Sequence, residues 1–262
     1  MRAATIWMMA AVAMVAGPAA AADDTRLVRT PDEKAMADAF PPTAAGIGVE
    51  GRATVRCQVG DDGRARDCAV TSEAPAGLGF GHAALRISGA FRFRQAKGAQ
   101  PPPVDIPIRF KVPQDSQAVE SRGYRPPKSP DDRRALARAV VARVIPTDWL
   151  TAKVSAYALQ VFPDAPGPGE SPPALADARR ATQDAIAAGL PAMQEATALE
   201  LAARNSAAQL QAMLDGPPPV DPGKFMDAAF KGVSPKWVLA QVAAIKADAR
   251  ARFCRDRGCG GG

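Results

Sequence analysis

One stretch restricts the fold more than any other: two alternating runs separated by an Asp-Gly turn, each run carrying a cysteine. Ala53-Thr54-Val55-Arg56-Cys57-Gln58-Val59 puts Val55, Cys57 and Val59 on one face, the period of two expected of a half-buried strand. Gly60-Asp61-Asp62-Gly63 follows, and the chain returns as Arg64-Ala65-Arg66-Asp67-Cys68-Ala69-Val70. Asp-Gly between such runs is a strong hairpin signal, because glycine supplies the positive φ of a tight turn. With Asp62-Gly63 as the central turn residues, Asp61/Arg64, Val59/Arg66, Gln58/Asp67 and Cys57/Cys68 fall opposite one another. That register sets the two cysteines side by side. It also makes them a hydrogen-bonded pair, where a bridge strains the strands more, and a bulge at Gly60 would relieve it.

The hairpin leads into Glu73-Ala74-Pro75-Ala76-Gly77-Leu78-Gly79-Phe80-Gly81, a loop by its Gly and Pro content. His82 to Ile87 reads as a short helix ending near Gly89. Val104 to Val112 reads as a last strand, with Ile106, Ile108 and Phe110 on one face and Asp105, Arg109 and Lys111 on the other. Three strands with one helix across them result.

The order A-T-V-R-C-Q-V-G-D-D-G-R-A-R-D-C-A-V, then E-x-P-x-G-x-G-F-G-x-A-A-L, F-R-F and P-V-x-I-P-I-R-F resembles the C-terminal domain of TonB-family proteins. It is most similar to a version from soluble bacterial proteins with a cysteine on each hairpin strand. Phe40-Pro41-Pro42 resembles the family's aromatic-Pro entry. Two departures stand out: Gln95 occupies a usual proline position, and the segment between Gly98 and Val104 is compressed. The resemblance implies a non-catalytic module that binds another envelope protein, with the final strand accepting an extended peptide.

The chain begins with Arg2, an apolar core from Ile6 to Ala16, and Ala20-Ala21-Ala22 before Asp23-Asp24. That core is short for a membrane span and has the flanks of a cleaved export signal; an uncleaved anchor is the alternative. Four cysteines in an exported chain invite pairing, and the local solution is Cys57–Cys68 with Cys254–Cys259. One histidine and these spacings leave little from which to build a zinc site. The net charge is +6, and Arg52 to Val112 holds ten Lys/Arg against five Asp/Glu. Without stacking aromatics among the arginines, nucleic acid is a poor fit; anionic lipid headgroups, an acidic segment or a merely solvated face fit better.

The expected division is a signal peptide at 1–22, a partly ordered lead-in at 23–39 and an α+β TonB C-terminal-like domain at 40–113. A linker at 114–128, an all-α helical region at 129–253 and a disulfide-closed tail at 254–262 complete it. Helix starts are expected at Ser129-Pro130-Asp131-Asp132, Thr147-Asp148, Asp221-Pro222 and Ser234-Pro235. Helices over Ala174–Ala188 and Leu190–Leu214 are expected to be split at Gly189–Pro191. Leu136, Val140 and Val144 form one apolar stripe; Val238, Val242 and Ile245 form another.

No catalytic constellation emerges. His82 has no nucleophile or acid motif beside it, so an exposed or capping histidine is expected. Gly77-x-Gly79-x-Gly81 lacks a strand-loop-helix phosphate context, and no serine lies in a nucleophile elbow. No cofactor, metal or specific small molecule is implied. The expected partner is a protein or peptide of the cell envelope, docking by strand addition on the edge formed by Asp105, Pro107, Arg109 and Lys111, since proline is confined to edges or bulges. Homodimerisation through the same module stays open. So does a membrane-anchored energy transducer serving outer-membrane receptors, although the segment before Phe40 is too short for an envelope-spanning spacer.

Overall fold

A computed structural model describes residues 26–94, 102–112, 123–231 and 236–259. The signal-peptide reading of 1–22, most of the linker and the Ser234-Pro235 helix start lie outside these residues. Two long strands, β2 (Gly51–Val59) and β3 (Ala65–Ala74), form the expected hairpin, and β5 (Val104–Phe110) pairs antiparallel with β2. The strand order is therefore β3-β2-β5. Helix α3 (Phe80–Ser88) crosses the buried face, where Val55, Cys57, Ile106, Ile108 and Phe110 all point inward. The fold is the expected hairpin, helix and strand followed by helices.

The hairpin differs in detail. Its loop has three residues, not two: Gly60 N–H donates to Arg64 O, Gly63 N–H donates to Gly60 O, and Gly63 adopts φ 73°. Val59 consequently faces Ala65 and Gln58 faces Arg66, one residue out from the sequence-based register. A bulge at Asp67, at φ 47°, then inserts one residue into β3 and restores the expected pairing as far as Val55/Val70, where a second irregularity shifts it again so that Thr54 faces Ser72. The bulge sits there rather than at Gly60, and it brings Cys57 and Cys68 to a Cα–Cα distance of 4.1 Å in a disulfide. The three-residue loop also serves the tertiary structure. Gly63 O accepts from Phe93 N–H at 2.8 Å, and a Cβ on Gly63 would lie 2.3 Å from Phe93 O.

Phe93 belongs to a second sheet that sequence reading missed: β1 (Arg26–Arg29) and β4 (Arg92–Arg94), antiparallel. Short helices α1 (Glu33–Asp38) and α2 (Pro42–Ile47) follow β1, so the described part of the lead-in, from Arg26 onward, holds a strand and a helix.

Behind the module stand α4 (Asp131–Val144), α5 (Thr147–Leu159), α6 (Pro172–Arg204), α7 (Ala207–Asp215), α8 (Pro222–Ala229) and α9 (Lys236–Arg257). The expected break at Gly189–Pro191 does not occur: α6 runs through both residues for 33 residues. Gly189 is a packing residue, since a Cβ there would lie 2.7 Å from Ile245 Cγ1 on α9. Close approach of α9 stabilises the helix enough to offset the one hydrogen bond that Pro191 cannot donate. The real break is at Asn205-Ser206, where Ser206 and Gln209 make a reciprocal capping box. Ser129 does not cap α4; Pro130 occupies that position, and only the acids Asp131 and Asp132 in the first turn match expectation. Asp221 does cap α8, accepting from Gly223 N–H at 2.8 Å.

One buried cluster runs from the module's sheet through α2 into α6 and α9, ending at Phe253 beside the Cys254–Cys259 disulfide. Arg257 at the end of α9 donates to Asp177 on α6 at 2.6 and 2.8 Å, which holds that carboxyl below its usual range. A second cluster joins α4, α6 and α7. Tyr124, just before α4, donates to the buried Glu200 of α6 at 3.1 Å, and Arg204 pairs with the same carboxylate. Burial, reinforced by Glu200, pushes the Tyr124 phenol up to about 12. A raised phenol stabilises fully below the usual tyrosine value near 10, and the contribution is lost as pH climbs toward about 12. Tyr124 and Tyr157 are the only tyrosines. An ultraviolet titration of the folded protein should thus show a late phenol above about pH 11, and Tyr124→Phe should abolish it.

Candidate functional site

The residues common to the quoted motifs turn out to hold one another. Phe40, Phe80 and Phe110, from the entry, the glycine loop and the last strand, form a three-ring cluster with centroids 5.7, 6.3 and 5.5 Å apart. Gly51 is small because Phe80 lies against it; a Cβ there would come within 2.1 Å of the ring. Glu73, expected to be a loop residue, lies in the last two residues of β3 and clamps the loop. Its carboxylate accepts from Gly77 N–H and from Gly81 N–H, both at 2.7 Å. The second bond neutralises a free donor at the start of α3.

A second glutamate ties the helical region to the module. Glu170, in the loop before α6, accepts from Thr43 N–H at 2.8 Å, Thr43 Oγ1–H at 2.6 Å and Gly167 N–H at 2.9 Å. Next to it Ser171 N–H donates to Gly77 O at 2.8 Å. Glu170→Ala strands three donors in a half-buried joint and should cost about 2 kcal/mol in urea unfolding, with Glu170→Gln intermediate. His82 packs beside this joint, half-buried, its Cβ 2.5 Å from where a Cβ on Gly169 would stand. The sequence-based expectation of an exposed or capping histidine is not met: the side chain is part of the packing.

The outer strand β5 is an edge: among the described residues nothing pairs with its far side. Which backbone groups face out follows from β2. Gly60 bonds across the hairpin, and Thr54 O accepts from Thr71 Oγ1 of β3 at 3.1 Å. Alternate residues of β2 address alternate neighbours, so Gly51, Ala53 and Val55 serve β5. Their partners are Phe110, Ile108 and Ile106. Asp105, Pro107 and Arg109 therefore turn their backbone outward, and Lys111 follows the strand end. All four are exposed. Asp105 is engaged sideways: Arg56 donates Nε and Nη2 to its two oxygens at 2.8 and 2.7 Å, holding the carboxyl below its usual range. No ion pair of Arg109 or Lys111 occurs among the described residues. Both border a hollow of about 100 Å³ at the sheet end, with Glu50, Gly51 and Ala74.

A larger apolar cleft of about 460 Å³ opens between α5, α6 and α9, walled by Trp149, Leu150, Val154, Met193 and Trp237. Val238 and Val242, read from sequence as part of a core stripe, line this cleft and stay half-exposed; only Ile245 is buried. Among the described residues no group of His, Cys, Asp and Glu has the makings of a metal site.

The ring cluster, the Glu73 clamp and the hairpin with its returning edge strand thus occupy one continuous segment. Residues 36–112 match the family model of the Gram-negative bacterial TonB protein C-terminal. The recognition made on the quoted motifs stands, with the match starting slightly earlier, inside α1. It covers well under half the chain, and the helices from Asp131 onward lie outside it. No curated protein and no solved structure matches the chain. The TonB C-terminal family is a non-enzymatic interaction domain of the cell envelope, so the matched segment is TonB-like in kind. Among the described residues no helix is long and apolar enough to cross a membrane.

Proposed function

We propose that the chain is an exported periplasmic protein whose TonB-like module binds an extended segment of an envelope protein by adding it as a strand to the outer edge of β5. One observation carries the reading: among the described residues β5 is an unpaired edge of a three-stranded sheet, and its outward groups belong to Asp105, Pro107 and Arg109. An incoming strand bonds to the outward N–H and C=O groups of Asp105 and Arg109 and to the C=O of Pro107, skipping the missing donor. Arg109 and Lys111 add positive charge at the strand end and favour an acidic residue there. The helical region braces the module through Glu170 and α2, and it supports no chemistry of its own in this reading.

Panning a displayed library of extended peptides against the exported protein tests it. Arg109→Pro removes one outward N–H and one charge while leaving the inward ladder its donors. Selected peptides should bind this variant at least about ten-fold more weakly, with unchanged thermal unfolding. Peptides that bind wild type and variant equally, or that slow amide exchange elsewhere than at residues 105–111, sink the proposal.

A further inference from the structure

Aromatic residues make up only 5% of the chain, and its three tryptophans are Trp7, Trp149 and Trp237. The last two lie far apart in sequence, yet both wall the apolar cleft of about 460 Å³ in the helical region. The cleft forms because α5 and α9 each pack chiefly on α6 rather than on each other. Its polar groups are few and mostly engaged. Gln194 Nε2 donates to Thr147 Oγ1 at 3.3 Å, and Thr197 Oγ1 donates to Met193 O at 2.8 Å. The charged lining residues are Lys153 on α5 and Asp227 on α8, both exposed and without an ion pair among the described residues. The Lys153 ammonium lies over the Trp149 ring, 6.0 Å from its centroid, a position that the ring's negative face favours.

Size and shape select the occupant. Val154, Tyr157 and Val242 also line a narrow hollow of about 30 Å³ that reaches Gly46 and Ile47 of the module, so the cleft tapers into an apolar slot. From Trp149 to Ala158 the α5 wall is about 14 Å long at 1.5 Å per residue. One acyl chain spans about the same distance, roughly 15 Å, in half of a bilayer core. A guest helix about 10 Å across needs on the order of 400 Å³ for each turn, so the cleft takes one turn and no more. Its volume is ordinary for a small-molecule pocket, and the flexible side chains of Met193 and Met226 adapt to a flexible guest. Charge selects the head. Lys246 lines the narrow hollow, so the slot carries two ammonium groups against the single carboxylate of Asp227.

We propose that the cleft between α5 and α9 binds one long-chain fatty acid, its hydrocarbon chain against Trp149, Met193 and Trp237 and its carboxylate on Lys153. No residue of β5 lines the cleft, so failure here leaves the strand-addition reading untouched.

The test is titration of the exported protein, freed of lipid, with palmitate below its micelle concentration, and in parallel with 1-hexadecanol and hexadecyltrimethylammonium. Calorimetry gives affinity and stoichiometry. From Asp23 onward Trp149 and Trp237 are the only tryptophans, so their emission reports the cleft directly. Palmitate should bind one to one and shift that emission to the blue. Lys153→Gln should weaken palmitate about five-fold and leave hexadecanol unchanged, whereas Asp227→Asn should tighten palmitate about two-fold. Val242→Phe adds bulk at a half-exposed position shared by both hollows. It should weaken palmitate and hexadecanol about ten-fold with thermal unfolding unchanged. Absence of saturable palmitate binding overturns the proposal, as does wild-type palmitate affinity in Lys153→Gln, or hexadecyltrimethylammonium binding as tight as palmitate. A stable dimer that Val242→Phe dissociates also overturns it, because a second copy of the chain would then cover the cleft.

Discussion

Phe80→Ala should lower the unfolding free energy by about 3–5 kcal/mol, the range for deleting a buried aromatic side chain. Phe80 is fully buried, sits 5.7 Å from the Phe40 ring and 5.5 Å from that of Phe110, and lies on the bare backbone of Gly51. The hole left behind has no way to close. Gly51 has no side chain to move in, and Phe40 and Phe110 are fixed by the segments they start and end. The loss should therefore fall in the upper part of that range, and Phe80→Leu should cost much less. Urea unfolding of the oxidised protein measures both; a loss below about 2 kcal/mol for the alanine variant would mean that the three rings are not the keystone of the module.

Removing the Cys57–Cys68 bridge, as Cys57→Ala/Cys68→Ala, should cost about 3 kcal/mol in the chain-entropy account for a loop this short. The cysteines are 11 residues apart, and between them lie the only turn of the hairpin and the bulge at Asp67. Without the bridge, the slip between the two registers on either side of the bulge becomes easier, because a one-residue shift is all that distinguishes them. Hydrogen exchange in β3 should accelerate together with the loss of stability. The Cys254–Cys259 bridge, at a separation of 5 and at the end of α9, constrains less chain and should contribute less. If the double-alanine hairpin keeps wild-type stability and exchange, the bulge and the docking of Gly63 on Phe93 hold the register unaided.

Local pattern carried a good part of this architecture. Alternation named β2 and β5 and their buried faces, because a strand's period belongs to its own residues, and the Asp-Gly turn named the returning strand β3. Pro107 placed β5 at an edge from sequence alone, since a residue without an N–H has no place inside a ladder. Cysteine spacing indicated both disulfides. The motif set led to the family, and the matched segment, 36–112, nearly coincides with the segment that carries it.

Other features depend on residues far apart in the chain, and no local pattern holds them. The turn at Gly60–Arg64 has three residues because Gly63 must bond Phe93, thirty positions away; the Asp-Gly pair alone fits either loop. Arg26-Leu27-Val28-Arg29 and Arg92-Phe93-Arg94 are each too short to signal a strand, and each becomes one only with the other as partner. Glu73 and Glu170 look like ordinary loop acids until folding brings Gly77, Gly81 and Thr43 to them. Gly189 and Pro191 read as a helix end by local propensity, which is worth about 1–3 kcal/mol per residue. The packing of Ile245 against that glycine outweighs the propensity, and α6 continues. The amino-acid sequence by itself determined the periods, the edge and the cysteine pairs, all set by neighbours along the chain. Only the tertiary structure decided the register, the arginine ribbon and the joint between module and helices, because each is an agreement between segments that touch only in the folded state.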